Sequence, residues 1–177
     1  TGGGYNFDIS IRMLAFMLKH RIGTTAQNQI SLSPADLAAD NVVAIASLPE
    51  SVNTTFHVTR DRYSTMRDVT SILARLTEQD FENLPMKAFV PEVIERCGKA
   101  DLLFPLLNFL VRSVDKITAM EFKRYDSSNF QKFRARSAQD VEDPSLEDVV
   151  LGILRFMRAH EIGEVPSLDS QRSVHHV

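Results

Sequence analysis

The chain has 177 residues, 44% of them hydrophobic and 24% charged, the balance of a globular domain with a sizeable core, which excludes collagen-like, low-complexity and disordered chains. Twenty Lys and Arg stand against 23 Asp and Glu, so no basic field draws the chain to nucleic acid or to an anionic membrane. The single cysteine, Cys97, excludes an intrachain disulfide framework and a multi-cysteine zinc site, and it fits a reducing cytoplasm.

No run of 18 apolar residues occurs, so no transmembrane span is expected. The start, Thr1-Gly2-Gly3-Gly4-Tyr5-Asn6, has neither an initiator methionine nor the parts of a secretory signal, which implies a piece cut from a longer chain.

Phe7, Ile11, Leu14 and Leu18 recur at helical spacing and predict an amphipathic helix from Phe7 to His20, stopped by Gly23. Gln29 to Leu32 alternates like a short strand, and Ser33-Pro34 opens a second helix running to about Leu48. Thr54 to Thr59 is β-branched and aromatic and predicts a strand. Thr65 and Asp68 have capping-box spacing ahead of Val69, Ile72, Leu73 and Leu76, so a third helix begins near Thr65. Phe81 to Leu84 is then a loop.

Pro85 to Val90 predicts a short strand, with Pro91 opening a helix closed by Gly98. Leu102 to Val114 predicts a greasy helix despite Pro105, and Ile117 to Tyr125 extended chain before a helical turn or two from Asn129 to Ala135. The last helix is the clearest: Asp143 as cap, Pro144 in the first turn, then Leu146, Val149, Val150, Ile153, Leu154 and Met157, ending at Gly163. Residues 1–163 form one unit by this reading, and 164–177 a flexible tail.

The chemistry legible in the residues is sparse. Gly2, Gly3 and Gly4 have no strand before them, so a turn is preferred to a phosphate cradle. Five histidines are scattered without zinc-binding spacing, and His57 reads as a packed residue. Cys97 has no histidine near it in sequence and no nucleophile elbow occurs. Glu142, Asp143, Glu147 and Asp148 are explained by a helix N-terminus. Two runs, Met13-Phe16-Met17 and Phe104 to Leu110, are apolar almost all round, which places them in a core or against a second surface such as a ligand tunnel or a neighbouring domain.

The order of motifs resembles the C-terminal part of the thioester reductase domains that end many nonribosomal peptide synthetases, aminoadipate reductases and carboxylic acid reductases, which are extended short-chain dehydrogenase/reductases. Thr1-Gly2 with Asn6, Asp8 and Arg12 is similar to that family's Thr-Gly-x-x-Asn-x-x-Asp stretch, with one glycine extra. Ile30 to Ala38 resembles its strand and Pro-Val-Asp pattern, with Ala35 in place of valine. Thr55-Phe56-His57-Val58 resembles the next strand, and Lys123 to Asn129 the Tyr-Asp-x-Ser-Asn signature. The resemblance runs to about Gly163.

What it implies is an α+β, mostly α-helical substrate subdomain with two or three short strands and no complete Rossmann sheet. The parent enzyme would use NADPH to reduce a carrier-bound acyl or peptidyl thioester to an aldehyde or alcohol in the cytoplasm. This piece would be the substrate-side lid, inactive alone and binding no cofactor, because the nucleotide loop and the Tyr-x-x-x-Lys pair of the family lie upstream of the segment matching Thr1. On the same basis Asn6, Asp8, Arg12 and Phe16 are candidates for substrate contact, with turn formation and helix capping as the other reading of the first three. Lys123, Arg124, Lys132, Arg134 and Arg136 are candidates for contact with a phosphopantetheinyl carrier protein, against a solvated charged face. Further partners would be the upstream nucleotide-binding domain and, through an unpaired edge of the Phe56 strand, a second copy. The rival readings are a noncatalytic helical interaction module that binds a carrier protein or partner helix, and the end of a sugar-nucleotide epimerase or dehydratase, against which the greasy lid argues.

Overall fold

The computed structural model describes residues 8–60, 63–119, 124–136 and 143–168. Among the described residues there are seven α-helices and four very short strands, in the order α1 (Ile9–His20), β1 (Ile22–Thr24), β2 (Gln29–Ile30), α2 (Ala35–Ala46), β3 (Ser64–Thr65), α3 (Met66–Thr77), β4 (Glu82–Leu84), α4 (Met86–Arg96), α5 (Leu107–Ala119), α6 (Ser128–Arg136) and α7 (Leu146–Ala159). The strands make two separate two-stranded sheets, β1 parallel to β4 and β2 antiparallel to β3, so among the described residues there is no Rossmann sheet. This is the expected α+β, mostly helical architecture, with four strands instead of two or three.

Helix α1 is central. Asp8 caps it by accepting from the Ser10 amide at 2.7 Å, and Ile11, Leu14, Ala15, Phe16, Met17 and Leu18 are all buried. Around it pack Ile22 of β1, Val69 and Leu73 of α3, Phe89 and Val93 of α4, Leu110 of α5, and Val150, Leu154 and Met157 of α7. A second cluster joins Ile45 of α2 to Phe130 and Phe133 of α6, with Phe56 and Val58 beside them. Val165 and Leu168, the start of the expected tail, rest against the main core; residues 169–177 lie outside the described residues.

Several elements differ from the sequence reading, each for a stated reason. Helix α1 ends at Arg21, in the left-handed region at φ 52°, and Gly23 belongs to β1. The glycine is needed there because an added Cβ would stand 2.1 Å from Thr70 Cγ2 of α3. Thr54 to Thr59 forms no strand. Side chains do the work of a neighbouring strand: Asn129 donates to the Thr55 carbonyl at 3.0 Å, and Ser31 Oγ accepts from the Arg60 amide at 3.0 Å. The edge through which a second copy was expected to pair is therefore not formed. Glu82 to Leu84 is a strand rather than a loop, and Met86 to Val90 a helix rather than a strand. Burial of Phe89, Val90 and Val93 decides this in favour of helix, leaving Pro91 inside α4. The helix expected from Leu102 begins at Leu107, behind a 3-10 turn holding Pro105, and it takes in Ile117 to Ala119, where extended chain was expected. Helix α7 is capped by Ser145, two residues after Asp143, and its C-cap is His160. The capping box of Thr65 and Asp68 forms as expected.

Candidate functional site

An open apolar groove of about 540 Å³ lies between α4 and α5. Lys87, Val90, Pro91 and Ile94 form one wall and Val111, Val114, Asp115, Thr118 and Ala119 the other. Both sets recur at three and four residues, the rows by which helices pack. Here the rows stand partly open: Ile94 is 37% exposed and Val111 44%. Pro91 has no amide hydrogen, so the carbonyl of Lys87 one turn earlier lacks its i+4 helical donor. An apolar groove with one backbone acceptor and a charge at Lys87 and Asp115 suits an apolar chain that carries an amide.

The walls of the groove are fixed from α1 and the loop after β1. The Arg12 guanidinium is buried and donates from Nη1 to the Leu102 carbonyl, in the turn that launches α5. Asp101, in the same turn, accepts from Lys19 Nζ at 2.7 Å and from the Gly98 amide at 2.7 Å, and lies 3.2 Å from His20 Nε2. At the far end of α5 the buried Asn28 donates to the Ile117 carbonyl at 2.7 Å. Burial alone would raise the Asp101 pKa, but Lys19, the Gly98 amide and His20 outweigh it and hold the carboxyl below the usual 3.8. Burial, with the nearby Asp101 charge, pushes the Cys97 thiol up, away from thiolate chemistry, and Lys19 opposes that shift only in part.

Of the residues singled out from the sequence, Asn6 and Lys123 lie outside the described residues. Asp8 is the helix cap, Arg12 serves the α5 turn, and Phe16 is 2% exposed with its ring 4.3 Å from that of His20. None of the three lines the groove. Arg124 donates to Gln29 and lies over the Tyr63 ring at 5.5 Å. Arg134 faces Asp143 at 3.6 Å and the Phe130 ring at 5.9 Å, while Lys132 and Arg136 are exposed. The basic residues of α6 are thus partly spent on internal contacts. His57, expected inside a strand, is exposed, and its Nδ1 lies 2.8 Å from the Asp126 carbonyl with its ring 5.3 Å from Tyr125.

That contact unites two of the quoted motifs: Thr55-Phe56-His57-Val58 and Tyr125 to Asn129 meet through His57 and Asp126 and through Asn129 and Thr55, while the Tyr125 amide donates to the Tyr63 hydroxyl at 3.3 Å. Asp126 accepts from the Ser128 amide at 3.0 Å at the start of α6, and the bonds to Ser128 lower its pKa. The groove residues of α4 escaped the sequence reading because Met86 to Val90 was read as strand. The signal available was the i, i+3, i+4, i+7 recurrence of Lys87, Val90, Pro91 and Ile94. No group of three His, Cys, Asp or Glu side chains converges among the described residues, and among them no helix is long and apolar enough to cross a membrane.

No protein-family model matches the chain, and no curated protein matches it. Its structure is similar to the crystal structure of the terminal R domain from the myxalamid PKS-NRPS biosynthetic pathway, with a TM-score of 0.80 and 18% identity over 94% of this chain. The chain has the fold of part of an R domain. It spans 43% of that structure's length, and the mostly helical architecture fits the C-terminal part of such a domain. Within this R-domain fold the groove, the α1 anchors and the joined motifs are features of the chain itself.

Proposed function

We propose that residues 1–163 are the substrate-side subdomain of an NADPH-dependent thioester reductase, which releases a carrier-bound acyl or peptidyl chain as an aldehyde or alcohol in the cytoplasm. The observation that carries the reading is the R-domain fold over 94% of the chain. The groove between α4 and α5 supports it, since an acyl or peptidyl chain with its pantetheine arm is largely apolar and carries amide donors that the Lys87 carbonyl would accept. Asn6, Asp8 and Arg12, with Phe16, belong to the substrate side by their motif, and Arg12 acts as a positioning residue through Leu102. Lys132 and Arg136, exposed on α6, with Lys123 and Arg124, would meet an acidic carrier protein.

Among the described residues, the strand-to-helix turns at α3 and α4 do not fit a dinucleotide phosphate. The turns from β3 to α3 and from β4 to α4 are closed: the Met66 and Arg67 amides of α3 donate to the Asn28 and Ala26 carbonyls and the Asp68 amide to Thr65 Oγ1, and β4 reaches α4 through Pro85. Neither turn holds a glycine. NADPH would sit on a separate nucleotide-binding region, and this chain would shape the space that the thioester enters.

The test compares the 177-residue chain with a chain in which it is joined to a nucleotide-binding region, by NADPH calorimetry and by reduction of an acyl thioester on a carrier protein. Binding and reduction by the longer chain alone are expected. A longer chain that binds no NADPH overturns the reading and leaves the helical interaction module.

A further inference from the structure

The described residues pack into two bodies of unequal size. Ala44 and Ile45 of α2, Leu48 after it, Phe56 and Val58, and Phe130 and Phe133 of α6 form one cluster, and none of them belongs to the main core around α1. The smaller body is also tied within itself, by His57 at the Asp126 carbonyl and by Asn129 donating to the Thr55 carbonyl. Little apolar surface holds it. Ile45 is the one buried residue of twelve in α2, and α6 buries two of nine, whereas α1 buries seven of twelve. Helices this short are marginal in water unless packing holds them.

Three arginines bridge the two bodies. Arg124 donates to Gln29 and lies over the Tyr63 ring, and Arg134 faces Asp143 at 3.6 Å. Arg60, at the end of the stretch from Thr54 to Thr59, donates from Nη1 to the Leu32 carbonyl at 3.3 Å and from Nη2 to the Pro144 carbonyl ahead of α7. Arg60 is the buried one of the three, at 8% exposed. Among the described residues no carboxylate pairs with it, and its Nε has no partner. Two carbonyl dipoles offset only part of the dehydration of a guanidinium, and water restores the rest when the seam parts. We infer that α2, Thr54 to Thr59 and α6 open as one cooperative unit, latched by Arg60, while the core around α1 stays folded. The two joined motifs, Thr55 to Val58 and Tyr125 to Asn129, belong to the unit that opens, and the groove between α4 and α5 to the body that stays.

The test is native-state hydrogen exchange of the 177-residue chain, followed amide by amide by nuclear magnetic resonance. One opening unit predicts a shared protection factor for α2 and α6, at least about hundredfold below that of α1 and α7. Arg60→Met removes both carbonyl bonds and is expected to lower protection in α2 and α6 by about a further tenfold while α1 and α7 keep theirs. Arg124→Gln, at an exposed bridge, should change α2 and α6 by less than about threefold. Protection in α2 and α6 equal to that of α1 overturns the separate unit, and values for α2 and α6 that differ by about tenfold overturn its cooperativity. An Arg60→Met chain that leaves α2 and α6 unchanged, or that lowers α1 and α7 as much, overturns the latch.

Discussion

Gly23→Ala tests whether close approach of β1 to α3 holds this fold. The added Cβ would stand 2.1 Å from Thr70 Cγ2 and 3.0 Å from Asn83 Oδ1, against a carbon–carbon optimum of about 3.5 Å, so strand and helix must part by about 1.4 Å or Thr70 must rotate. The Thr70 hydroxyl sits 3.2 Å from the Thr24 amide and 3.3 Å from the Thr24 carbonyl, both buried, and either response breaks these bonds. Two lost bonds cost about 1 kcal/mol each and overpacking about 1–3 kcal/mol, so the substitution costs about 3–5 kcal/mol. For a chain of this size that is roughly 6–20 °C in the thermal midpoint.

The assay is urea unfolding followed by circular dichroism, with Thr70→Ser as the second arm of a double-mutant cycle. Serine removes the offending methyl and keeps the hydroxyl, so the double variant is expected to recover about half of the loss or more. A Gly23→Ala chain within about 0.5 kcal/mol of the parent, or a serine that rescues nothing, refutes the close-approach argument.

Asp101→Asn removes the charge that holds Lys19 and His20 at the α5 turn and is expected to cost about 1–3 kcal/mol at pH 7. Because the folded-state pKa of Asp101 lies below its ordinary 3.8, its stabilisation is complete above that value and fades as pH falls through the lower one; unfolding midpoints at pH 7 and pH 3 should therefore converge in the variant and its parent. Val111→Asp, on an exposed wall of the groove, should leave stability within about 0.5 kcal/mol. Acyl-pantetheines of rising length should gain about fourfold in affinity per methylene on the parent and nothing on that variant, read by calorimetry. Asn28→Ala frees the Ile117 carbonyl and is expected to speed hydrogen exchange in the last turn of α5 while the first turn, held by Leu103 and Arg12, keeps its protection.

Elements whose signals are local were legible in the sequence. The Thr65 and Asp68 box needs four residues to declare itself, and α1 and α7 announce themselves through one repeated apolar row, whereas Val42, read into the buried row of α2 with Ile45, is 53% exposed. Elements decided by a partner were not. Thr54 to Thr59 has strand composition but meets side chains of α6 instead of a strand. Met86 to Val90 has strand composition and becomes helix because Phe89, Val90 and Val93 must face α1 together. The groove inherits that error, since without α4 as a helix its first wall cannot be drawn. Thr55 to Val58 and Tyr125 to Asn129 were legible as motifs, whereas their meeting through His57 and Asp126, 69 residues apart, required the fold.

The two runs that read as apolar all round have different fates, and polar residues of α1 explain why. Phe16 and Met17 are buried almost completely, so the first run is core. The second run divides: Leu103 and Leu110 enter the same core, while Phe104 and Phe109 stay outside. Arg12 on the Leu102 carbonyl and Lys19 with His20 on Asp101 fix the rotation at which the chain enters α5. With that rotation set at one end and the Asn28 bond set at the other, α5 cannot turn Val111 inward without breaking buried polar contacts. The open groove is therefore tied to how α1 is bonded, with Arg12, Lys19 and His20 acting from behind its wall.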